Sequence, residues 1–171
     1  MVVKLIVGID PGLKGGIAFI PINLKDHGCV TYPMPIITTK KKVKGKIKTK
    51  NKLDGKALRD IFLFADAIEI VKIYIEEVHS MPKQGVASTF SFGKTYGQTI
   101  GILEGLGYTP EFVRPQVWKK DMGVTSDKNT SIAKAEYLFP NAKLIAPKCR
   151  KVHDGMAEAL LIAEYGKRTY S

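Results

Sequence analysis

The first 34 residues predict three short strands joined by tight turns. Val2–Ile9 is a mostly apolar run rich in β-branched residues, which is typical of a buried strand. Asp10-Pro11-Gly12 ends this run, and Gly15-Gly16 favours a tight return into a second strand at Ile17–Pro21. With a third strand around Cys29–Met34, these segments predict an antiparallel meander.

Helical and strand patterns alternate along the rest of the chain. The predicted elements are a helix over Ala57–Ile68 with Asp54 as its N-cap, a strand over Val71–Val78, a break at Met81–Gly85, a helix over Val86–Gly105, a strand at Phe112 and Val113, and helices over Gln116–Asp121, Asp127–Phe139 and His153–Tyr165. This order predicts an α/β fold with a central five-stranded mixed sheet flanked by helices, in a single domain over residues 1–171.

Positive charge is concentrated in one segment. Lys and Arg number 27 against 16 Asp and Glu, and residues 40–56 alone hold nine lysines and one acid. We predict a basic loop at about residues 36–56, although its alternation of Lys with Val, Gly, Ile and Thr also suits a hairpin. A polyanionic partner is predicted, and a solvated loop that only aids solubility is the alternative. The lysines assigned to this contact are Lys40, Lys41, Lys42, Lys44, Lys46, Lys48 and Lys50.

The composition argues against several classes of protein. No apolar run approaches the roughly 20 residues that span a bilayer. The first residues lack the basic and apolar regions of a secretory leader. Cys29 and Cys149 do not make a disulfide framework. We therefore expect a cytoplasmic protein that does not contact a membrane.

Several carboxylates lie where apolar residues would be less costly. Asp10 ends the first buried strand, and Glu76 and Glu77 lie in the next central strand. Asp154 and Glu158 are four residues apart, so they share one face of the last helix. Ionised groups are costly to bury unless they are paired or bound to a metal. Gathered at one end of the sheet, these acids would suit Mg²⁺ or Mn²⁺, and two such ions about 4 Å apart hydrolyse phosphodiesters.

An ordered set of motifs covers nearly the whole chain outside the lysine-rich segment. The motifs are Ile9-Asp10-Pro11-Gly12-Leu13-Lys14-Gly15-Gly16, Ile75-Glu76-Glu77-Val78, Gly97-Gln98, Arg114-Pro115-Gln116-Val117-Trp118-Lys119, Lys128, and His153-Asp154-Gly155-Met156-Ala157-Glu158-Ala159-Leu160. In this order the chain resembles the RuvC-type Holliday junction resolvases of the RNase H-like superfamily, and most of all their shorter phage and bacterial variants.

The resemblance implies roles for individual residues. Asp10, Glu76, Asp154 and Glu158 match the acids that hold two Mg²⁺ ions, for which Mn²⁺ substitutes. Lys128 matches a lysine that serves phosphate binding and catalysis.

Two further assignments depend on the same resemblance. Glu76, rather than Glu77, matches the family glutamate, although the residues by themselves leave this choice open. Lys119 is a candidate contact to the DNA backbone.

The resemblance also implies an activity. It indicates a homodimeric, Mg²⁺-dependent crossover junction endodeoxyribonuclease that resolves four-way junctions by paired symmetric nicks. Such an enzyme would serve DNA recombination and repair in the cytoplasm of a bacterium or a phage-infected cell, without a nucleotide cofactor. The alternatives are a broader flap or fork endonuclease of the same fold, an actin-like ATPase that shares the phosphate turn, and a non-catalytic architectural DNA binder.

Three features depart from the family pattern. Bacterial RuvC proteins place two aspartates three apart on the last helix, a position that Gly155 occupies here. His79 stands where those proteins carry an aromatic residue, for which Phe90 or Met81 would substitute. The lysine-rich segment has no clear counterpart.

Glycines recur every four residues on the predicted helix Val86–Gly105. Each costs about 1 kcal/mol against alanine in a helix interior. Either the stripe packs tightly on the sheet, or it forms the two-fold interface that the resemblance implies. The residues assigned to this interface are Gly93, Gly97 and Gly101.

Three other side chains have two interpretations each. Phe90 is assigned to contact with separated DNA bases, but an apolar packing role is the alternative. Trp118 would either stack on DNA or lie in the core. His153 would either assist at a metal or phosphate, or serve the start of the last helix.

Overall fold

Strands and helices alternate around one central sheet. The structure is a computed structural model and describes residues 2–24, 28–63, 67–79 and 85–170. In chain order its elements are β1 (Val3–Asp10), β2 (Gly16–Pro21), β3 (Val30–Pro33), β4 (Ile36–Val43), β5 (Lys46–Leu53), α1 (Gly55–Ile61), β6 (Ile68–Glu76), α2 (Val86–Gly105), β7 (Glu111–Val113), α3 (Pro115–Met122), α4 (Lys128–Leu138) and α5 (Asp154–Thr169).

The central sheet has the strand order β3-β2-β1-β6-β7. Strands β1, β2 and β3 pair in antiparallel fashion, whereas β6 is parallel to β1 and β7 is parallel to β6. This arrangement confirms the predicted antiparallel meander and the five-stranded mixed sheet. Because β1, β6 and β7 are parallel, their carboxyl ends meet at one edge, which is where open α/β sheets place their sites.

Helices cover both faces of the sheet. Alternate residues of β1 serve two cores, with Ile6 packed on the side of α3, α4 and α5, and Val7 and Ile9 on the side of α1 and α2. Burial on both faces explains why β1 is apolar from Leu5 to Ile9. A Cβ atom on Gly8 would lie 2.2 Å from the carbonyl oxygen of Ala159, so only glycine lets α5 pack this closely on β1.

The lysine-rich segment is a β-hairpin rather than the predicted loop. Strands β4 and β5 pair from Ile36 opposite Leu53 to Val43 opposite Lys46. At the turn, Lys44 has φ 49° and Gly45 has φ 75°, as in the two-residue turns whose twist matches that of the strands. The alternation of lysine with other residues, which also suited a hairpin, has the period of a strand.

The helix predicted to reach Ile68 ends earlier. Helix α1 ends at Ile61, and Ile68 instead begins β6, opposite the first residue of β1. The apolar spacing extends to Ile68 and suggested a longer helix. It could not reveal the strand, because the residue that pairs with Ile68 lies 65 positions away in sequence. Ala65 lies outside the described residues, as does most of the break predicted at Met81–Gly85.

The predicted bounds of α2 and the predicted cap of α1 are confirmed. Helix α2 has the predicted bounds, Val86–Gly105. The side chain of Asp54 caps α1 by accepting from the backbone N–H of Ala57 at 3.1 Å. Asp127 caps α4 by accepting from the N–H of Asn129 at 3.0 Å. Among the described helices, none is both long and apolar enough to cross a membrane.

Candidate active site

Three predicted site residues come together because of the sheet topology. Asp10 is the last residue of β1 and Glu76 is the last residue of β6. These strands are parallel and adjacent, and the register that sets Ile9 opposite Ile75 brings the two carboxylates to the same edge. Glu158 comes from the second turn of α5, which packs on β1 and β2.

A close backbone contact positions the start of α5. Gly155 forms a bridge with Gly15 in the turn after β1, and a Cβ atom on Gly155 would lie 2.2 Å from the carbonyl oxygen of Lys14. Glycine is therefore required at position 155, the position at which the family resemblance predicts an aspartate in bacterial RuvC. Asp154, one residue earlier, lies in the first turn of α5, where the helix dipole stabilises a carboxylate.

Asp10 is the most strongly perturbed carboxyl of the site. Desolvation is the largest cause, and the negative charges of Glu76 and Glu158 add to it, so that the pKa of Asp10 rises from 3.8 to about 7. A hydrogen bond from the N–H of Gly12 at 3.4 Å and the charge of Lys128 act in the opposite direction. Asp10, Glu76 and Glu158 therefore lie close enough to repel one another.

Glu76, rather than Glu77, faces this cluster. The indole N–H of Trp118 donates a 2.8 Å hydrogen bond to Glu76 Oε2. Desolvation raises the pKa of Glu76, the bond from Trp118 lowers it, and the charge of Glu158 raises it again. Glu77 follows the strand, lies 3.6 Å from the Nε2 atom of His79, and lines a separate cleft. The geometry thus favours the choice of Glu76.

Two lysines form ion pairs with Glu158 and Asp154. Glu158 is 8% exposed, and its Oε1 atom accepts from Lys119 Nζ at 3.1 Å and from the hydroxyl of Ser131 at 3.4 Å. Asp154 forms an ion pair with Lys128. Lys119, a predicted contact to the DNA backbone, has its ammonium group inside the acidic site in this structure.

The oxygen donors of the site fit a hard divalent cation, but Lys119 and Lys128 form ion pairs with two of the acids. Among the residues that the structure describes, no group of three or more His, Cys, Asp or Glu side chains is arranged to hold a metal ion. The four acids nevertheless offer only oxygen donors, as Mg²⁺ and Mn²⁺ prefer. Desolvation, followed by the charges of Glu76 and Glu158, raises the pKa of Asp10, and the charge of Lys128 offsets only part of that rise. A cation would supply further positive charge, with Lys119 and Lys128 withdrawn from Glu158 and Asp154.

His153 and Trp118 have structural positions. The Nδ1 atom of His153 accepts from the N–H of Met156 at 3.3 Å and so caps α5. Desolvation, followed by the charge of Lys128, lowers the pKa of His153. Trp118 is fully buried, which excludes the stacking of its ring on DNA. The sequence carried no signal for its bond to Glu76, because the two residues are 42 positions apart.

Apart from Lys119, the predicted DNA-binding and interface residues lie outside the acidic cluster. Phe90 is 75% exposed, whereas Phe92 stacks on Tyr96 with a centroid separation of 6.5 Å. The hairpin lysines are exposed. Cβ atoms on Gly93, Gly97 and Gly101 would meet nothing within 4 Å, so the glycine stripe faces open space instead of packing on the sheet.

Known proteins are similar in both sequence and fold. The chain is 32% identical over 94 residues to the chloroplastic Holliday junction resolvase MOC1 of Chlamydomonas reinhardtii. The match covers 54% of this chain but only about a tenth of the length of that relative. No family model matches the chain.

Two structures of Thermus thermophilus RuvC share the architecture. RuvC in complex with a Holliday junction substrate aligns with a TM-score of 0.54 at 11% identity, over 98% of this chain and 96% of that one. A second RuvC structure aligns with a TM-score of 0.50 at 12% identity, over 94% and 92% of the two chains. The resemblance to RuvC-type resolvases is thereby confirmed for the fold: this chain has the RNase H-like fold of RuvC, a five-stranded mixed sheet flanked by helices.

Proposed function

We propose that this chain is a divalent-metal-dependent endonuclease that resolves four-way DNA junctions. The observation that carries the proposal is the meeting of Asp10, Glu76 and Glu158 at one sheet edge, where desolvation and then the charges of Glu76 and Glu158 raise the pKa of Asp10 to about 7. Four-way junctions are the substrate class named for the MOC1 relative, and one of the similar RuvC structures holds such a substrate.

The same four acids would hold the metal, which we propose to be two Mg²⁺ ions that Mn²⁺ can replace. When bound, such ions activate water for attack on phosphorus and stabilise the leaving oxygen. Lys128 remains at the border of the site with its side chain 60% exposed, so its ammonium group can leave Asp154 for a phosphate oxygen. Trp118 keeps Glu76 oriented through the 2.8 Å hydrogen bond.

Two clefts lie beside the acidic edge, and the smaller one supports DNA as the substrate. The larger, of about 1190 Å³, is lined by Glu77 and Asp121 as well as by Arg114 and Lys120, whereas the smaller, of about 440 Å³, is lined by Lys50. Phe92 lines both clefts. A Cβ atom on Gly12 would lie 3.8 Å from Phe92 and 3.8 Å from Asp10 Oδ1, so the clefts adjoin the acidic cluster.

The test compares cleavage of a synthetic four-way junction, a 5′-flap and a linear duplex, each in Mg²⁺ and in EDTA. We expect symmetric, Mg²⁺-dependent nicks in the junction, which are lost in the Asp10→Asn variant. Binding without cleavage of any substrate would refute the endonuclease and leave an architectural DNA-binding protein.

A broader branched-DNA endonuclease is the second candidate. The lysine-rich hairpin favours it, because contacts between lysine and phosphate do not distinguish one DNA branch from another. Equal cutting of the 5′-flap and the junction in the same assay would select this alternative.

We further propose a homodimer formed through the glycine stripe of α2. Gly97 faces open space, so Gly97→Ala is expected to stabilise a monomer by up to about 1 kcal/mol while it weakens close pairing of two helices. Sedimentation velocity would measure self-association, and urea unfolding would measure stability. Glu136→Ala, on the exposed side of α4, is the control. Unchanged association of the Gly97→Ala protein would contradict this interface.

A further inference from the structure

The register of the β4–β5 hairpin separates its lysines onto two faces. In an antiparallel ladder, residues directly opposite each other point to the same face, and the face alternates along each strand. The pairs Lys41 with Lys48, Val43 with Lys46, Thr39 with Lys50 and Ile37 with Lys52 share one face. We call this the lysine face, and its basic residues are Lys41, Lys46, Lys48, Lys50 and Lys52.

The opposite face is poorer in charge. Its paired positions are Ile36 with Leu53, Thr38 with Asn51, Lys40 with Thr49 and Lys42 with Ile47, so it carries two lysines. The side chain of Leu53 is 4% exposed and anchors this face in the core at the base of the hairpin. One hairpin thus presents five lysines on one side and two on the other.

The lysine face is costly for the protein alone. Lys41 and Lys48 are directly opposed, and like charges at such positions destabilise a sheet. Within the described part of the chain, none of the lysines from 40 to 52 forms an ion pair. Lysines that only protect an exposed ribbon from edge pairing would not need a common face. A polyanion laid along that face would remove the repulsion.

The spacing of the lysine face suits a phosphate backbone. Lys46, Lys48, Lys50 and Lys52 follow one another at alternate positions of β5, which places them roughly 6.8 Å apart along the strand. That is about twice the 3.4 Å axial rise between successive phosphates of one DNA strand. The row therefore extends over roughly 20 Å, or about six nucleotide steps of duplex.

The lysine face leads towards the acidic site. Lys50 lines the 440 Å³ groove together with Ser88 and Ser91 of α2 and with Leu13. Leu13 belongs to the turn that follows Asp10. A strand held on the lysine face would therefore reach the acidic edge through this groove.

From this arrangement we propose that the lysine face binds the sugar–phosphate backbone of one DNA arm and guides it to the acidic site, whereas Lys40 and Lys42 do not contact DNA. The inference rests on the proposed function, since it takes DNA as the substrate. It adds which face of the hairpin binds DNA and by which route the DNA arm reaches the acidic site. It also adds that this contact does not depend on base sequence.

Two charge-matched variants test the proposal. Lys48→Thr/Lys50→Thr removes two charges from the lysine face, and Lys40→Thr/Lys42→Thr removes two from the opposite face of the same hairpin. Threonine favours strands, so both variants keep the ribbon, which circular dichroism and thermal unfolding would verify. Binding is measured by fluorescence anisotropy of a labelled four-way junction in EDTA, from 50 to 200 mM KCl.

The salt dependence gives the expected result. Each lost phosphate contact makes the slope of log K against log [KCl] less negative by about 0.9. The slope of the lysine-face variant should therefore be less negative than that of wild type by about 1.8. Wild type should consequently lose about twelvefold more affinity than this variant over the fourfold rise in salt. The opposite-face variant should change the slope by less than half as much.

The outcomes separate the two proposals. Equal changes in slope for the two variants would overturn the lysine face while leaving the endonuclease intact. Wild-type protein that binds neither the junction nor a duplex of equal length would overturn the proposed function itself. Face-specific binding together with absent cleavage in Mg²⁺ would retain the lysine face and refute the endonuclease.

Discussion

Replacing Asp10 with asparagine should stabilise the folded protein, although it removes a carboxylate on which the proposed cleavage depends. Asn keeps a side-chain oxygen that can accept the 3.4 Å hydrogen bond from the N–H of Gly12. It removes the negative charge that desolvation, Glu76 and Glu158 make costly. A gain in stability at the expense of activity is the expected signature of a site that needs a cation.

The size of this gain in stability follows from the pKa of Asp10 in the folded and the unfolded state. The unfolded carboxyl has a pKa of 3.8, and the folded one has a pKa of about 7. Below pH 3.8 the group is protonated in both states and costs nothing. Between these values the folded state retains a proton that the unfolded state releases, so the cost grows with pH, and it is complete above pH 7. The full cost is roughly 4 kcal/mol, at 1.36 kcal/mol per pKa unit.

Urea unfolding in EDTA at pH 4, 6 and 8 would measure this effect. We expect Asp10→Asn to exceed wild type in unfolding free energy by about 2 kcal/mol or more at pH 8, since relaxation around the site reduces the upper limit of 4. The difference should shrink towards zero at pH 4. Asp60→Asn is the control, because Asp60 lies in an exposed pair with Arg59 and should change stability by less than about 0.5 kcal/mol.

Mg²⁺ adds an independent readout to the same experiment. A cation that binds only the folded state raises stability by mass action. Wild type should therefore gain thermal stability when Mg²⁺ replaces EDTA, and Asp10→Asn should gain much less. An Asp10→Asn protein that is less stable than wild type at pH 8 would refute the argument that desolvation and the charges of Glu76 and Glu158 raise the pKa of Asp10.

Two further predictions concern the acid at the end of β6. Glu76→Gln should abolish junction cleavage in Mg²⁺, whereas Glu77→Gln, the matched neighbour outside the cluster, should retain it; the reverse result would overturn the assignment of Glu76. Trp118→Phe removes the hydrogen bond that lowers the pKa of Glu76, so the pH profile of cleavage should move to higher pH. A profile that stays in place while urea unfolding shows a folded variant would contradict this role for Trp118.

Sequence patterns predicted elements where local signals and tertiary structure agree. The bounds of α2 and the caps Asp54 and Asp127 follow from local chemistry, since each lies within a few residues of the group that it affects. The apolar runs before Asp10 and Glu76 predicted buried strands. A carboxylate at the end of each run then indicated that the two acids share one edge.

Long-range partners could not be predicted in the same way. Ile68 fitted the helical spacing, but pairing with β1 claims it for the sheet. Lys119 lies in a motif that suggested a DNA contact, yet its partner Glu158 is 39 positions away and is visible only once α3 packs beside α5. The segregation of the hairpin lysines required the register, since a shift by one residue would exchange the two faces.

The lysines at the site explain how four acids can lie together in a folded chain. With all four ionised, Asp10, Glu76, Asp154 and Glu158 carry −4, and the ammonium groups on Glu158 and Asp154 return +2. With these two lysines in place the remaining charge is −2, and with them withdrawn it is −4, which the two proposed divalent cations would balance. Within the described residues Asp10 has no ion pair. The unbalanced negative charge of its neighbours adds to desolvation in raising its pKa.

This unbalanced negative charge links the stabilising effect of a bound cation to that of the Asp10→Asn substitution. A bound cation and the Asp10→Asn substitution relieve the same repulsion, so their contributions to stability cannot add. The double comparison of wild type and variant, each in EDTA and in Mg²⁺, should therefore show a coupling about as large as the smaller of the two separate gains. Additive gains would place the cation elsewhere on the protein, away from the acidic cluster.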